Sequence, residues 1–369
     1  MRVVTAVSLI LALPSTLTGQ STRPQDPRPP FPYDEVEVSL ENPQDGTRLA
    51  GTLTLPDGEG PFPAVVLLSG AGPQDRDYAV FGHRPFLVLA DYLARRGIAA
   101  LRLDDRGTGG SAGDATRSTL ALAIADVRAG VQVLGRHPRI DPGALGLVAH
   151  SEGGRVAPFA AAASDNIAFV VLLAPPVVSA AELSQGQAAT TAAVSNDPLV
   201  PVQAALIDMI RRTLADESDP ERALASIRAN ASSWMASLSP EVSRIMGILW
   251  ARPEFQAQVE QLVIALGTPW NRSLYDQDPA PPLEALDVPV LALYGDRDLQ
   301  VPPAQNATAL EALWAEHPDA RVEILPGLNH FFQHADTGLP AEIPDIEETF
   351  APEAMDRISG WIEGRFTTR

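Results

Sequence analysis

Two kinds of apolar pattern alternate along this chain. Residues 35–40 (EVEVSL) and 48–55 (RLAGTLTL) alternate apolar with polar positions, the period of a strand with one solvated face, and Asp45-Gly46 between them favours a tight turn. They predict a hairpin that leads the sheet. Next come short unalternating apolar runs: 64–69 (AVVLLS), 98–103 (IAALRL), 144–150 (ALGLVAH) and 167–174 (IAFVVLLA). Stretches with helical periodicity at 86–96, 120–134 and 155–163 separate them. Strands that read as apolar throughout are buried on both faces, so the pattern predicts a doubly wound, mostly parallel α/β sheet flanked by helices. It stops at Pro175-Pro176 and resumes at 288–294 (VPVLALY), followed by a helix near 304–315, the strand 321–325 (RVEIL) and a last helix near 352–365. The interruption contains helical stretches such as 204–214 and 255–266 and no strand-like run. It reads as a helical lid inserted after the sixth strand.

The ends of the chain refine this division. Met1-Arg2, an apolar run to Leu13 and a small or polar stretch through Gly19 have the form of a secretory signal peptide, and the run is too short to span a bilayer. No cysteine follows it, which argues against a lipoprotein anchor. The expected organisation is therefore a signal peptide at 1–20, a Pro-rich flexible linker at 21–33, the first part of the core at 34–176, the lid at 177–286 and the second part of the core at 287–369, in a secreted or periplasmic protein. No later run approaches the roughly 20 apolar residues of a membrane helix.

Composition narrows the choice of partners. The 369 residues are 45% hydrophobic and 20% charged, enough to bury a large core. With 27 basic and 46 acidic residues the net charge is −19, which repels phosphate backbones and anionic bilayers. The absence of cysteine removes disulfides, thiolate metal sites and a cysteine nucleophile together. Neither HExxH, nor an EF-hand loop, nor clustered histidines call for a metal, and no cofactor motif is present: the glycines of DDRGTGGS (104–111) lack the dinucleotide spacing, and SGAGPQDRD (69–77) lacks the phosphate-loop pattern.

The chemistry concentrates in three loops. Ser151 sits in AHSEGG (149–154), after the strand ending near His150 and before a helix, with tiny residues two before and two after it; this is the sequence of a nucleophile elbow, although Ala149 stands where glycine is usual. The alternative is a serine that merely caps the helix. A nucleophilic hydroxyl needs a base and an orienting acid, which in such sheets follow in the order acid, then histidine. GDRDLQVP (295–302) offers Asp296 and Asp298, and PGLNHF (326–331) offers His330, with His334 as a rival base. Both loops follow the carboxyl ends of strands, where the sites of open α/β sheets lie. Asp298 is the preferred acid because it lies further into the loop than Asp296 and precedes the turn into the next helix. The strand ending at Ala174 is followed by no carboxylate. His150 would point away from the serine and reads as packing, and His83, His137 and His317 read as surface or helix-end groups. An oxyanion hole requires two backbone donors. The amide of Glu152 follows the nucleophile, and the amide of Ala71 lies in the glycine-containing loop after the third strand. Arg106 is read as a structural charge that pairs with a carboxylate to brace that loop.

Together SGAGPQDRD (69–77), RPFLVLADYLARRGIAALRLDDRGTGGS (84–111), HSEGG (150–154), PWNRSLYDQDP (269–279), GDRDLQVP (295–302) and LNH (328–330) resemble the α/β-hydrolase superfamily, in its serine aminopeptidase-like branch, and within it bacterial esterases of the EstD type. The matching stretches span nearly the whole core and leave most of the lid unmatched. The resemblance implies an α/β-hydrolase fold, Ser151, Asp298 and His330 as a triad, and hydrolysis of short-acyl carboxylic esters, with a small-molecule ester as the partner. A peptidase or amidase could use the same triad, an aminopeptidase with lid acids such as Asp216 and Glu217 holding the substrate's ammonium group. A thioesterase is a third reading, and a non-catalytic binding module a fourth.

Overall fold

A computed structural model describes residues 23–195 and 197–366; the expected signal peptide lies outside the described residues. Strands β1 (Tyr33–Glu41) and β2 (Arg48–Pro56) form the hairpin, paired antiparallel with Leu40 opposite Leu49. The other strands are β3 (Phe62–Leu68), β4 (Ala99–Leu103), β5 (Ile140–His150), β6 (Phe169–Leu173), β7 (Val290–Gly295) and β8 (Ala320–Leu325). They form one sheet in the order β1-β2-β4-β3-β5-β6-β7-β8, in which β2 pairs antiparallel with both its neighbours and every pair from β4 to β8 is parallel. All five residues of β6 are buried, as are Ala64 to Val66 of β3 and Leu145 to Ala149 of β5. That burial is why these strands lack alternation.

The chain turns one way from β3 to β4 and the other way to β5. This reversal places the carboxyl ends of β3 and β5 side by side at a topological switch point, where crossing helices leave a crevice for ligands. Helices α1 (Pro85–Arg95), α2 (Leu120–Gly135) and α3 (Gly153–Ala162) make the first crossings, and the Thr119 side chain caps α2 by accepting from the Leu122 amide.

Residues 179–277 form a compact unit distinct from the rest. It contains α4 (Ala180–Val194), α5 (Val200–Asp216), α6 (Pro220–Ala236), α7 (Pro240–Trp250), α8 (Pro253–Leu266) and α9 (Pro269–Tyr275). Proline opens α5 to α9, where its missing N–H is not required, and Ser179, Asp219, Ser239 and Thr268 cap helices with their side chains. The unit has its own core, centred on Ile210, Ile227, Met246, Val259 and Val263. Its bounds are narrower than the expected 177–286, because α10 (Ala280–Glu284) belongs to the sheet unit. Pro282 and Leu283 are buried there, and the Leu283 carbonyl accepts from the Trp314 indole at 2.9 Å. The sheet unit closes with α11 (Pro303–Leu313) and α12 (Pro352–Phe366).

The stretch expected to be a flexible linker is held in its described part. The Arg23 guanidinium donates to the carbonyls of Ile346 at 2.6 Å and Pro344 at 2.7 Å, Gln25 bonds Thr349 and Phe350, and Asp26 pairs with Arg84 at 2.9 Å. Proline content could not show the polar partners of this segment, most of which lie more than 300 positions along the chain. Among the described residues no helix is long and apolar enough to cross a membrane.

Candidate active site

Ser151 occupies the turn between β5 and α3 with φ +52°, a left-handed conformation strained for any residue with a Cβ. Its amide donates to the Leu173 carbonyl at 2.8 Å, tying the turn to β6. The turn also presses the start of α3 onto the end of β3: a Cβ on Gly153 would lie 2.5 Å from the Ser69 carbonyl oxygen, so only glycine fits.

The loop after β7 carries Asp298, which is almost wholly buried. Its Oδ1 accepts from the amides of Gln300 and Val301, both at 2.8 Å, leaving Oδ2 free to face the base loop. Asp296 lies at the surface, where its Oδ1 accepts from the Gly327 amide at 2.6 Å and so links the acid loop to the loop after β8. These two loops touch at Gly295, where a Cβ would overlap the Leu328 carbonyl oxygen. In the base loop the buried Asn329 accepts through Oδ1 from the amides of Phe331 at 2.9 Å and Gln333 at 3.0 Å, closing a tight turn around His330.

The turn brings His330 between the two other candidates. Its Nδ1 is 2.8 Å from Asp298 Oδ2 and its Nε2 is 2.9 Å from Ser151 Oγ. An ionised carboxylate only accepts, so Nδ1 carries the proton and Nε2 offers its lone pair to the serine hydroxyl. The geometry can therefore remove a proton from Ser151 while Asp298 compensates the charge formed on the ring. His334, the rival base, is exposed and bonds Glu348 at 3.0 Å and Glu353 at 2.9 Å; the hydrogen bond it donates to Glu348 is the main cause raising its pKa.

The loop after β3 runs beside the nucleophile: a Cβ on Gly70 would lie 3.1 Å from the Ser151 Cβ. Ala71 is the next residue of this loop, and Glu152 follows the serine at the start of α3. Two carboxylates at the end of β4 brace the loop, not Arg106 as expected. Asp104 accepts from the Arg76 amide at 2.8 Å and pairs with its guanidinium, and Asp105 accepts from the Gln74 amide at 2.8 Å and the Ser69 hydroxyl at 3.2 Å. Desolvation pushes the Asp105 carboxyl up to about 7. Arg106 instead pairs with Asp45 of the hairpin turn and Asp126 of α2, each at 2.6 Å. The loop takes its ligands from the strand beside it, while the Arg106 side chain reaches the hairpin on the other side.

One further histidine differs from its sequence reading, and a second, read as packing, is buried with polar partners the sequence did not show. His83 is buried and bonds Thr349 and the Ile343 carbonyl, so it is no surface group. His150 is buried against the base loop, its Nε2 2.8 Å from the His330 carbonyl oxygen and its Nδ1 3.2 Å from the Tyr78 hydroxyl. The signal for His150 was its adjacency to the serine, but strand alternation gives only the face it occupies. Tyr78 carried no signal beyond its place after the loop of Ala71. Among the described residues no group of three or more His, Asp or Glu side chains is arranged to hold a metal.

A family model described as "Alpha/beta hydrolase family" matches residues 65–339. The chain is similar to an esterase, EstD, of Thermotoga maritima, at 24% identity over 301 residues; the match covers 82% of this chain, which spans 60% of the length of that relative. Among solved structures, a Pyrococcus furiosus esterase superposes with a TM-score of 0.51 at 16% identity, over 91% of this chain and 92% of that one. A puromycin-hydrolyzing peptidase of Mycobacterium tuberculosis superposes with a TM-score of 0.55 at 15% identity, over 93% of this chain and 41% of the other. At these identities the structures share the fold.

Proposed function

This chain belongs to the alpha/beta hydrolase family, and from that premise we propose that it is a secreted serine carboxylesterase that hydrolyses short-acyl esters through an acyl-enzyme on Ser151. The observation that carries the reading is the unbroken line Ser151 Oγ, His330, Asp298, with contacts of 2.9 and 2.8 Å, built on a strained serine. In the first half-reaction Oγ attacks the ester carbonyl carbon and its proton passes to His330 Nε2. The amides of Ala71 and Glu152 receive the developing oxyanion. The tetrahedral intermediate collapses, the carbon–oxygen bond to the alcohol breaks, and the leaving oxygen takes the proton from Nε2. Water then repeats the sequence on the acyl-enzyme, with His330 first as base and then as acid, and releases the carboxylic acid and free Ser151.

Replacing Ser151 by Ala is expected to leave a folded protein whose esterase activity falls by at least about a thousandfold, as when one member of a cooperating triad is lost. A folded Ser151→Ala protein with more than about a tenth of the wild-type rate would sink the assignment. Secretion rests on the leader-like N-terminus, and N-terminal sequencing of protein recovered outside the cytoplasm tests it. Short-acyl preference rests on the family resemblance, and a panel of 4-nitrophenyl esters of increasing acyl length tests it. For the peptidase reading, Glu217 is paired with the exposed Arg222 at 2.8 Å, a partner that a substrate's ammonium group would have to displace. Comparing aminoacyl anilides with esters of the same acids separates the two activities.

A further inference from the structure

Resting on the reading of Ser151, His330 and Asp298 given above, we propose that Tyr78 and His150 form a positioning relay that sets the loop after β3 and the base loop in register with each other. The relay is a chain of hydrogen bonds whose directions follow from chemistry. The His330 carbonyl oxygen can only accept, so His150 Nε2, 2.8 Å away, carries a proton. Burial holds the His150 ring neutral, its pKa pushed down to about 3, so Nδ1 keeps a lone pair and accepts the Tyr78 hydroxyl at 3.2 Å. The Tyr78 hydroxyl in turn lies against Gly70 in the loop after β3. Gly70 must be glycine here, since a Cβ would overlap that oxygen.

The relay therefore runs from Tyr78, packed on Gly70 beside the nucleophile, through His150 to the backbone of the base. Phe86 and Phe331 pack around it, with ring centroids 5.0 Å from Tyr78 and 5.4 Å from His150. Tyr78 and His150 are themselves 4% and 3% exposed, so water does not compete for these bonds. Tyr78 holds φ +57°, a conformation a tyrosine keeps only when its surroundings over-determine it. The relay also accounts for one backbone group that would otherwise be buried without a donor, the carbonyl of His330. Its ring is thus oriented by Asp298 and its main chain by His150.

The test uses the full chain and three variants, His150→Gln, His150→Leu and Tyr78→Phe, with kcat and KM measured on a short-acyl 4-nitrophenyl ester and folding monitored by thermal melting. A glutamine amide reaches the place of Nε2 and can donate to the His330 carbonyl, whereas leucine fills the volume without a donor. Misplacing a catalytic group costs rate more than binding, so His150→Leu is expected to lower kcat about 100-fold with KM within about threefold, and His150→Gln to restore kcat to within about fivefold of wild type. Tyr78→Phe, which removes the donor to His150 Nδ1, is expected to lower kcat about tenfold. If His150→Leu does not fold, Tyr78→Phe decides the matter by the same split. The relay is overturned if a folded His150→Leu or Tyr78→Phe protein keeps kcat within about twofold of wild type, or if the Gln and Leu variants lose rate equally, which makes the role one of packing. Labelling by a fluorophosphonate distinguishes failure of the relay from failure of the triad. Label on wild type and relay variants but not on Ser151→Ala upholds the triad whatever the relay does, and label on Ser151→Ala removes the reading on which the relay rests.

Discussion

Ser151 and the two aspartates show how much a single position decides. Asp296 and Asp298 are two residues apart in one loop, yet the buried one faces His330 and the exposed one ties down Gly327. Asp298→Asn is expected to keep the fold and to lower kcat by roughly 10⁴-fold, because an amide no longer compensates the imidazolium and can favour the wrong tautomer. Asp296→Asn should lower kcat less than about tenfold, through looser loop support. The reverse ranking in steady-state kinetics would make Asp296 the acid. Asp105 gives a different kind of consequence. Its carboxyl is held near 7 in the folded protein by burial, against about 4 in an unfolded chain. Between those values the folded state keeps a proton that the unfolded state releases, so rising pH removes stability there, on the order of 1 kcal/mol per pH unit. Asp105→Asn keeps an oxygen that can accept from Gln74 and Ser69 and does not titrate. Its melting temperature relative to wild type should therefore climb from about pH 4 to about pH 7 and level off above, where both states have lost the proton. A difference independent of pH would show that Asp105 ionises as an ordinary carboxylate.

The strands and the core helices were legible as elements because their burial leaves a mark on composition. The unalternating runs 64–69, 144–150 and 167–174 fall on β3, β5 and β6, and the alternating pair 35–40 and 48–55 on the hairpin. Sequence also placed the serine, histidine and two aspartates in loops at strand ends, which is where they stand. It could not show which carboxylates brace the Ser69–Asp77 loop or what His150 touches, because those contacts join residues 28 to 180 positions apart. Nor could it locate the end of the helical insert, since α10 has the same helical character as the helices before it and differs only in what buries it. The insert leaves the sheet unit after β6 and returns before β7, and it carries its own apolar core at Ile210, Met246 and Val259. Joining the chain from 178 to 278 by a short linker is therefore expected to keep fluorophosphonate labelling of Ser151, which lies with both its partners outside the insert, while altering the ranking of esters by acyl length. A soluble linker variant with unchanged selectivity would deny the insert a part in choosing the substrate. Within the insert, Ile210→Ala removes a fully buried side chain and should cost that unit about 2 to 5 kcal/mol. Limited proteolysis should then cut within residues 179–277 before the sheet unit.

At the scale of the whole molecule the dominant quantity is charge. A net charge of −19 on 369 residues makes a field that every approaching substrate crosses. Such a field does not select a fold, but it lowers the local concentration of anions, and the proposed activity could be offered both neutral esters and esters that carry a free carboxylate. The acidic side chains around the site include Asp298, which orients His330 in the proposed mechanism, and the exposed Asp296 on the same loop. Salt shortens the reach of this field from about 30 Å at 0.01 M to about 3 Å at 1 M. For a neutral ester the field has no net charge to act on, so kcat/KM should stay within about twofold as salt rises over that range. For a monoanionic ester of matched size, kcat/KM should start lower at low salt and rise by about tenfold or more as screening removes the repulsion. The effect belongs in kcat/KM and not in kcat, because the field acts on the free substrate and is common to the bound states. The measurement is a pair of hemi- and dialkyl esters of one dicarboxylic acid, followed over that salt range at a fixed pH where the carboxylate is ionised. Equal salt responses from the two esters would mean that basic side chains local to the site cancel the global charge, and the −19 would then bear on solubility alone.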